Sequence, residues 1–204
     1  TPGTLPNRRT NNQISGTSYE LPSTTHFSIV DERGNAVSMT SSIENVFGSR
    51  LMVGGFLLNN QLTDFSFAPE AGGAAVANRV QPGKRPRSSM SPFIVLDQQK
   101  KFRMAVGSPG GSRIIGYVAK TLIGVIEWRL DIQSAIDLPN VTNRGRETEI
   151  ELRDDTHVLV QALAKMGHTV RTVPMTSGIH GIVKDRRGLW GGADRRREGV
   201  ALGD

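Results

Sequence analysis

The sequence predicts an α+β fold, an antiparallel sheet with a layer of helices packed on one face. Three observations carry this. Strand-like segments come in pairs joined by short polar turns, which means hairpins and therefore antiparallel pairing. Segments with helical periodicity come as one block between sets of strands instead of alternating with them, which suits a layer on one side of a sheet. The chain has 204 residues, 37% of them hydrophobic, enough for one domain with a real core and a peripheral subdomain.

In chain order, residues 1–23 are rich in proline, glycine, asparagine, serine and threonine and almost free of apolar periodicity, so they read as a linker. Residues 26–31 alternate, with Phe27 and Ile29 on one face. Asp31-Glu32-Arg33-Gly34-Asn35 is a turn, and 36–43 resumes as a strand, completing a first hairpin. After a long loop, PFIVLD (92–97), a polar turn over 98–101 and a strand over 102–106 make a second hairpin. Ile115, Val118, Ala119, Leu122 and Ile126 fall at helical spacing and predict a helix over 112–129. A short helix near 131–138 stops at Pro139, and a third over about 156–166 ends at Gly167. Strands near 169–174 and 181–183 follow, then a turn at Asp185-Arg186-Arg187-Gly188 leading toward Trp190. The expected division is a linker over 1–23 and a folded domain over 24–204.

Composition narrows the chemistry. There is no cysteine, which removes disulfides, thiolate metal sites and cysteine nucleophiles together. His26, His157, His168 and His180 are scattered, without HxH or HExxH spacing, so no metal site and no cofactor are expected. His157 and His168 read as helix-surface and helix-end residues. No apolar run reaches about 18 residues, so no membrane span is expected. TPGTLPNRRT (1–10) lacks the apolar core of a signal peptide, and the chain is expected to start inside a longer polypeptide. The net charge is +6, part of it in KRPR (84–87) and RRR (195–197). These basic residues are not interleaved with aromatics and no nucleic-acid motif appears, so no nucleic-acid partner is expected. An anionic substrate or an acidic partner chain accounts for the charge equally well.

Five short stretches could carry chemistry. Thr24-Thr25 opens the first strand, either as a strand edge built of β-formers or as a nucleophile destined to become a chain terminus. GSPGGSR (107–113) joins a strand to the long helix. Gly110 and Gly111 would present backbone N–H groups at the helix N-terminus, where an oxyanion is held, or would simply let the chain bend. It is not GxGxxG, which disfavours a dinucleotide site. In PRSSMSP (86–92), Ser88 and Ser89 could bind a carboxylate, or stabilise turns. In LLNNQLTDF (57–65), Gln61 and Asp64 are three apart and could face one site, with Asp64 anchoring an ammonium; a capped turn is the plainer alternative. In TSSIEN (40–45), the hairpin would bring Ser42 back beside the opening threonines, hydroxyl to hydroxyl.

Taken together, TTHFSIVD, GFLLNNQLTDFS, KRPRSSMSP and GSPGGSRII, in that order and spacing, resemble the small subunit of γ-glutamyltransferases. The resemblance implies an N-terminal-nucleophile hydrolase, an αββα sandwich of which this chain supplies the small-subunit half. It implies that residues 1–23 end the large subunit and that 24–204 are the small-subunit catalytic domain. One precursor would cut itself at Ser23-Thr24, freeing Thr24 as nucleophile with its own α-amine as base. A terminal amine has an unperturbed pKa of about 8, close to working pH. By matching position, Ser42 resembles the hydroxyl that positions the nucleophile. Gly110 and Gly111 resemble the oxyanion hole, Ser88 and Ser89 the hydroxyls that bind the α-carboxylate, and Gln61 and Asp64 the residues that hold the α-amine. The implied partners are the large subunit of the same precursor and a γ-glutamyl amide such as glutathione. A periplasmic or secreted location is implied by the resemblance alone. Many members have Asn where this chain has Glu44; a carboxylate only accepts hydrogen bonds, so Glu44 bears on substrate choice.

Three other readings stay open at this stage: a related acylase of cephalosporin or poly-γ-glutamate type, an inactive unprocessed or isolated half, and a basic binding module. An isolated half would leave sheet edges or an apolar patch exposed, and oligomers are then expected.

Overall fold

The structure, a computed structural model, describes residues 24–145 and 147–203. The linker expected over 1–23, and Ser23 with it, lies outside the described residues. Those described fall into two compact units, one of residues 43–88 and one of residues 24–42 with 89–203.

Strands β1 (Thr24–Val30) and β2 (Ala36–Ser42) form the first hairpin, in unbroken register from Thr24 opposite Ser42 to Val30 opposite Ala36. Asp31 closes the turn, its Oδ1 accepting from the Asn35 amide at 2.8 Å while Gly34 takes a φ of 83°. Residues 43–88 are largely loop, as the sequence indicates. They hold two minimal hairpins, β3 (Met52–Val53) with β4 (Phe56–Leu57) and β5 (Glu70–Ala71) with β6 (Ala74–Ala75), and a 3₁₀ turn over Gln61–Asp64. Strands of two residues leave no alternation to read.

The larger unit continues with β7 (Phe93–Leu96), β8 (Phe102–Gly107), α1 (Ile114–Ile126), α2 (Ile132–Asp137), β9 (Val141–Asn143), β10 (Thr148–Glu151), α3 (His157–Lys165), β11 (Val170–Val173), β12 (His180–Asp185) and β13 (Gly188–Ala193). Four strands in the order β13-β12-β8-β7 make one sheet, antiparallel throughout. Helices α1 and α2 cover one face of it, and Met104, Val106, Ile114, Tyr117, Val118 and Ile136 fill the space between. Burying such apolar side chains stabilises by roughly 1.5–3 kcal/mol each relative to exposure.

Two features depart from the expected pattern. The long helix begins at Ile114 after a 3₁₀ turn over Gly111–Arg113, because Gly110 and Gly111 hold positive φ and cannot join an α-helix. A three-stranded sheet in the order β11-β10-β9 stands apart, with β10 and β11 parallel and α3 crossing between them. Neither β9 nor β10 follows from the sequence, since both are short and β10 carries Glu149 and Glu151 as buried residues.

The first hairpin lies on the sheet's other face, against β8 and β12. Its inner positions are His26, Ser28, Ser38 and Thr40, and Ser38 Oγ donates to the Val106 carbonyl at 3.2 Å. Its apolar residues Phe27, Ile29, Val37 and Met39 point outward and are exposed. The alternation is the expected one, but the apolar side faces away from this unit's core.

Candidate active site

The site is built on the first hairpin. Pairing Thr24 with Ser42 puts both on the inner side, and Thr24 Oγ1 donates to Ser42 Oγ at 3.1 Å. Two residues along, His26 is 3% exposed, its ring nitrogens bonded to Thr40 Oγ1 at 2.9 Å and Ser28 Oγ at 3.1 Å. Burial pushes its imidazole down to about 4, with His180 adding to the shift, so it is neutral at pH 7. A Cβ on Gly107 would lie 2.2 Å from its ring, so glycine there lets β8 seat the histidine. His26 thus braces the strand that begins with Thr24, a role the sequence did not reveal. His157 is exposed at the start of α3, and His168, just beyond that helix, meets Thr148 Oγ1 at 3.0 Å. A cavity of about 440 Å³ opens beside Thr24 and is also lined by His26, Pro109, His180 and Arg197.

The loop after β8 supplies the second part. Gly110 has φ 129° and Gly111 φ 62°, which only glycine adopts freely. A Cβ on Gly110 would lie 2.6 Å from the Tyr117 ring. Burial raises the Tyr117 phenol to about 12, so the ring under the turn is neutral. Ser108, fully buried, donates to the Pro109 carbonyl at 2.6 Å and accepts from the Gly178 amide at 3.3 Å. The turn leads through one 3₁₀ turn into a 13-residue helix, whose N-terminal end is a place of positive potential.

Three buried carboxylates, Glu149, Glu151 and Asp194, were not found from the sequence. Glu149 is gripped by Arg113, Arg144 and Arg171. Burial alone would raise its carboxyl, but the guanidiniums of Arg113 and Arg171, with Arg144, outweigh this and hold it at about 2. Glu151 pairs with Arg196, which also meets Asp194 at 3.0 Å, and Asp194 Oδ2 accepts from Ser177 Oγ at 2.5 Å. The one signal was two glutamates flanking Ile150 in a strand-like stretch, which strand burial would forbid without paired cations.

Unit 43–88 holds another group of the expected residues. Glu44 takes φ 72°, and its Oε2 accepts from Asn60 Nδ2 and, at 3.1 Å, from Thr63 Oγ1. Gln61 Nε2 donates to Asp64 Oδ2 across the 3₁₀ turn. The structure therefore links Gln61 with Asp64, and joins Glu44 to the same short segment. Ser88 is exposed at the end of this unit, and Ser89 is the first residue of the chain's return to the other. Among the described residues, no group of three His, Cys, Asp or Glu is placed to hold a metal, and no helix is long and apolar enough to cross a membrane.

A hydroxyl at the first residue of a hairpin, packed on an antiparallel sheet with helices behind it, is the α+β architecture of the N-terminal-nucleophile hydrolases. The γ-glutamyltranspeptidase family profile matches residues 3–204. The chain belongs to the γ-glutamyltranspeptidase family. It is 39% identical over 188 residues to the glutathione hydrolase proenzyme of Bacillus subtilis (strain 168), covering 88% of this chain and 30% of that protein. Its structure resembles that of a threonine-to-alanine mutant of Helicobacter pylori γ-glutamyltranspeptidase, with TM-score 0.74, 36% identity and coverage of 85% of this chain and 100% of the solved one. It is also 32% identical over 187 residues to the acylase ACY 1 proenzyme of Pseudomonas sp. (strain SE83), over 90% of this chain and 32% of that protein. The chain thus spans about a third of the length of these curated relatives.

Proposed function

We propose that this chain is the small-subunit part of a γ-glutamyl transferase and hydrolase, with Thr24 as nucleophile. The observation that carries the reading is Thr24 at the head of β1 with its hydroxyl bonded to Ser42. In the precursor, Thr24 Oγ attacks the Ser23 carbonyl carbon, the acyl group moves from nitrogen to oxygen, and water hydrolyses that ester. This frees the Thr24 α-amine, which then serves as base. In turnover, Oγ attacks the γ-carbonyl of a donor such as glutathione while the amine takes its proton. The Gly110 and Gly111 amides hold the tetrahedral oxyanion, which is where such donors are worth most. Collapse expels the leaving amine with the proton and leaves a γ-glutamyl-threonine ester, which water or an acceptor amine releases.

In the same reading, Ser88 and Ser89 bind the donor's α-carboxylate, while Asp64, oriented by Gln61, holds its α-amine with Glu44, which is bonded to Asn60 and Thr63 of the same segment. The large subunit of the precursor is the partner. The outward apolar face of the first hairpin supports this, since Phe27, Ile29, Val37 and Met39 lack cover among the described residues. Glu44 and the acylase relative favour one second reading, an acylase using the same threonine on another amide. The test is intact mass of the purified full-length protein, then turnover of a γ-glutamyl anilide beside a cephalosporin side-chain amide. Cleavage before Thr24 with γ-glutamyl turnover upholds the first reading. Cleavage with turnover of the other amide alone favours the second, and an uncleaved inert chain rejects both.

A further inference from the structure

We infer that Glu149 is a positioning residue for the Gly110–Gly111 turn, acting through Arg113 and Arg144. The inference rests on the reading that this turn holds the oxyanion. At φ 129°, Gly110 belongs to neither helix nor strand, so the turn's shape must be set by the residues that flank it. Before it, Ser108 is locked by burial and by the Gly178 amide. After it, Ser112 and Arg113 are both tied to one carboxylate. Arg113 Nε and Nη2 donate to Glu149 Oε2 and Oε1 at 2.9 and 3.2 Å, a bidentate pair. Arg144 Nη2 donates to the same oxygens at 3.2 and 3.3 Å, while its Nη1 donates to Ser112 Oγ at 2.5 Å. Arg171 Nη2 completes the set at 2.6 Å from Oε1 and is itself paired with Glu147. Thr142 Oγ1 stands 3.5 Å from Oε2.

This carboxylate is 4% exposed and lies on β10, in a different sheet from the loop it serves. Of its three guanidiniums, one is carried by Arg113 and one is bonded to Ser112, the residues that follow Gly111, where a displacement passes straight into the turn. Without the carboxylate, three cations face one another and repel. The first backbone they would move is Ser112–Arg113. Oxyanion donors lose effect with displacements of about 0.5 Å, so a brace at this point acts on the transition state more than on substrate binding.

The test uses the full-length precursor and the variants Glu149→Gln, Glu149→Asp and Ser112→Ala, with rates normalised to the fraction cleaved before Thr24. Four quantities are read: kcat and KM for a γ-glutamyl anilide, the affinity of a glutamate-like boronic acid that forms a tetrahedral adduct with the Thr24 hydroxyl, and the affinity of free glutamate. For Glu149→Gln, kcat should fall about 10- to 100-fold with KM within about twofold. Boronate affinity should fall in proportion and glutamate affinity should hold. Glu149→Asp should recover part of the loss. Ser112→Ala, which removes only the Arg144 anchor and buries no charge, should show the same pattern at about 3- to 10-fold. Unchanged kcat and boronate affinity, or equal losses for boronate and glutamate, overturns the inference. If Glu149→Gln does not fold, Ser112→Ala decides by the same criteria. A wild-type protein without γ-glutamyl turnover overturns the underlying reading and this inference with it, whereas an active wild type with unaffected variants overturns the inference alone.

Discussion

At the residue scale, Thr24, Ser42 and His26 each make a separable claim. In the full-length protein, Thr24→Ala should abolish both self-cleavage and turnover; cleavage before residue 24 in that variant would show the nucleophile to be elsewhere. Ser42→Ala removes the acceptor of the 3.1 Å bond. A net hydrogen bond of about 1–1.5 kcal/mol corresponds to roughly tenfold in rate, and a drop of that size in both cleavage and kcat is expected. His26 makes a claim about stability. Its folded pKa, about 4, lies below the ordinary 6.5, so the unfolded chain binds the proton first. Its contribution is complete above pH 6.5 and drains away as pH falls toward 4. Between pH 7 and pH 5 the loss should be about 2 kcal/mol, on top of whatever other groups contribute. Urea midpoints at the two pH values measure it, and His26→Gln should remove that part of the slope.

At the element scale, the loop after β8 depends on two glycines for different reasons. Gly107→Ala would drive a Cβ to 2.2 Å from the His26 ring, an overpacking expected to cost about 2–3 kcal/mol in urea unfolding. Gly110→Ala meets both a φ of 129° and the Tyr117 ring at 2.6 Å, so turnover should drop about 100-fold or more. Wild-type kcat in the Gly110 variant would remove the turn from the chemistry. These elements also show what the sequence could carry. The hairpin over 24–42 was legible because a tight turn and strict alternation fix its register, and the register alone brings Ser42 to Thr24. Which side faces the core was not legible, because alternation does not say that the polar side packs inward. The Gly110–Gly111 turn was legible from its glycines. The Glu149 cluster was not, because its cations come from α1's approach, the β9–β10 connection and β11, and only folding assembles them. Strands β9 and β10 escaped for the same reason: buried glutamates in a short strand look like surface until their arginines are in place.

At the scale of the whole molecule, the inside-out hairpin is the most telling feature. Phe27 pairs with Met39 and Ile29 with Val37 across β1 and β2, so four large apolar side chains form one outward patch. Beyond it, β7 and β13 end the four-stranded sheet, and Phe93, Leu96, Leu189 and Trp190 on them are exposed. A soluble monomer seldom leaves contiguous apolar surface next to open strand edges, because both invite pairing with another copy. The patch also adds nothing to this unit's own packing, because it is the hairpin's polar inner side that meets β8 and β12. It is therefore expected to be covered by the remainder of the precursor. Residues 24–204 produced alone should self-associate and bind a hydrophobic dye, and co-expression with the preceding part of the precursor should suppress both. Phe27→Ser with Met39→Ser removes one cross-strand pair from the outward face only. That double variant should be less associated when alone and should recover less of the preceding part in co-purification. Light scattering and dye fluorescence read the first effect, and the ratio of the two chains after purification reads the second. A dye-silent monomer of residues 24–204 would mean that the patch is satisfied within this chain, and the partner surface would have to lie elsewhere.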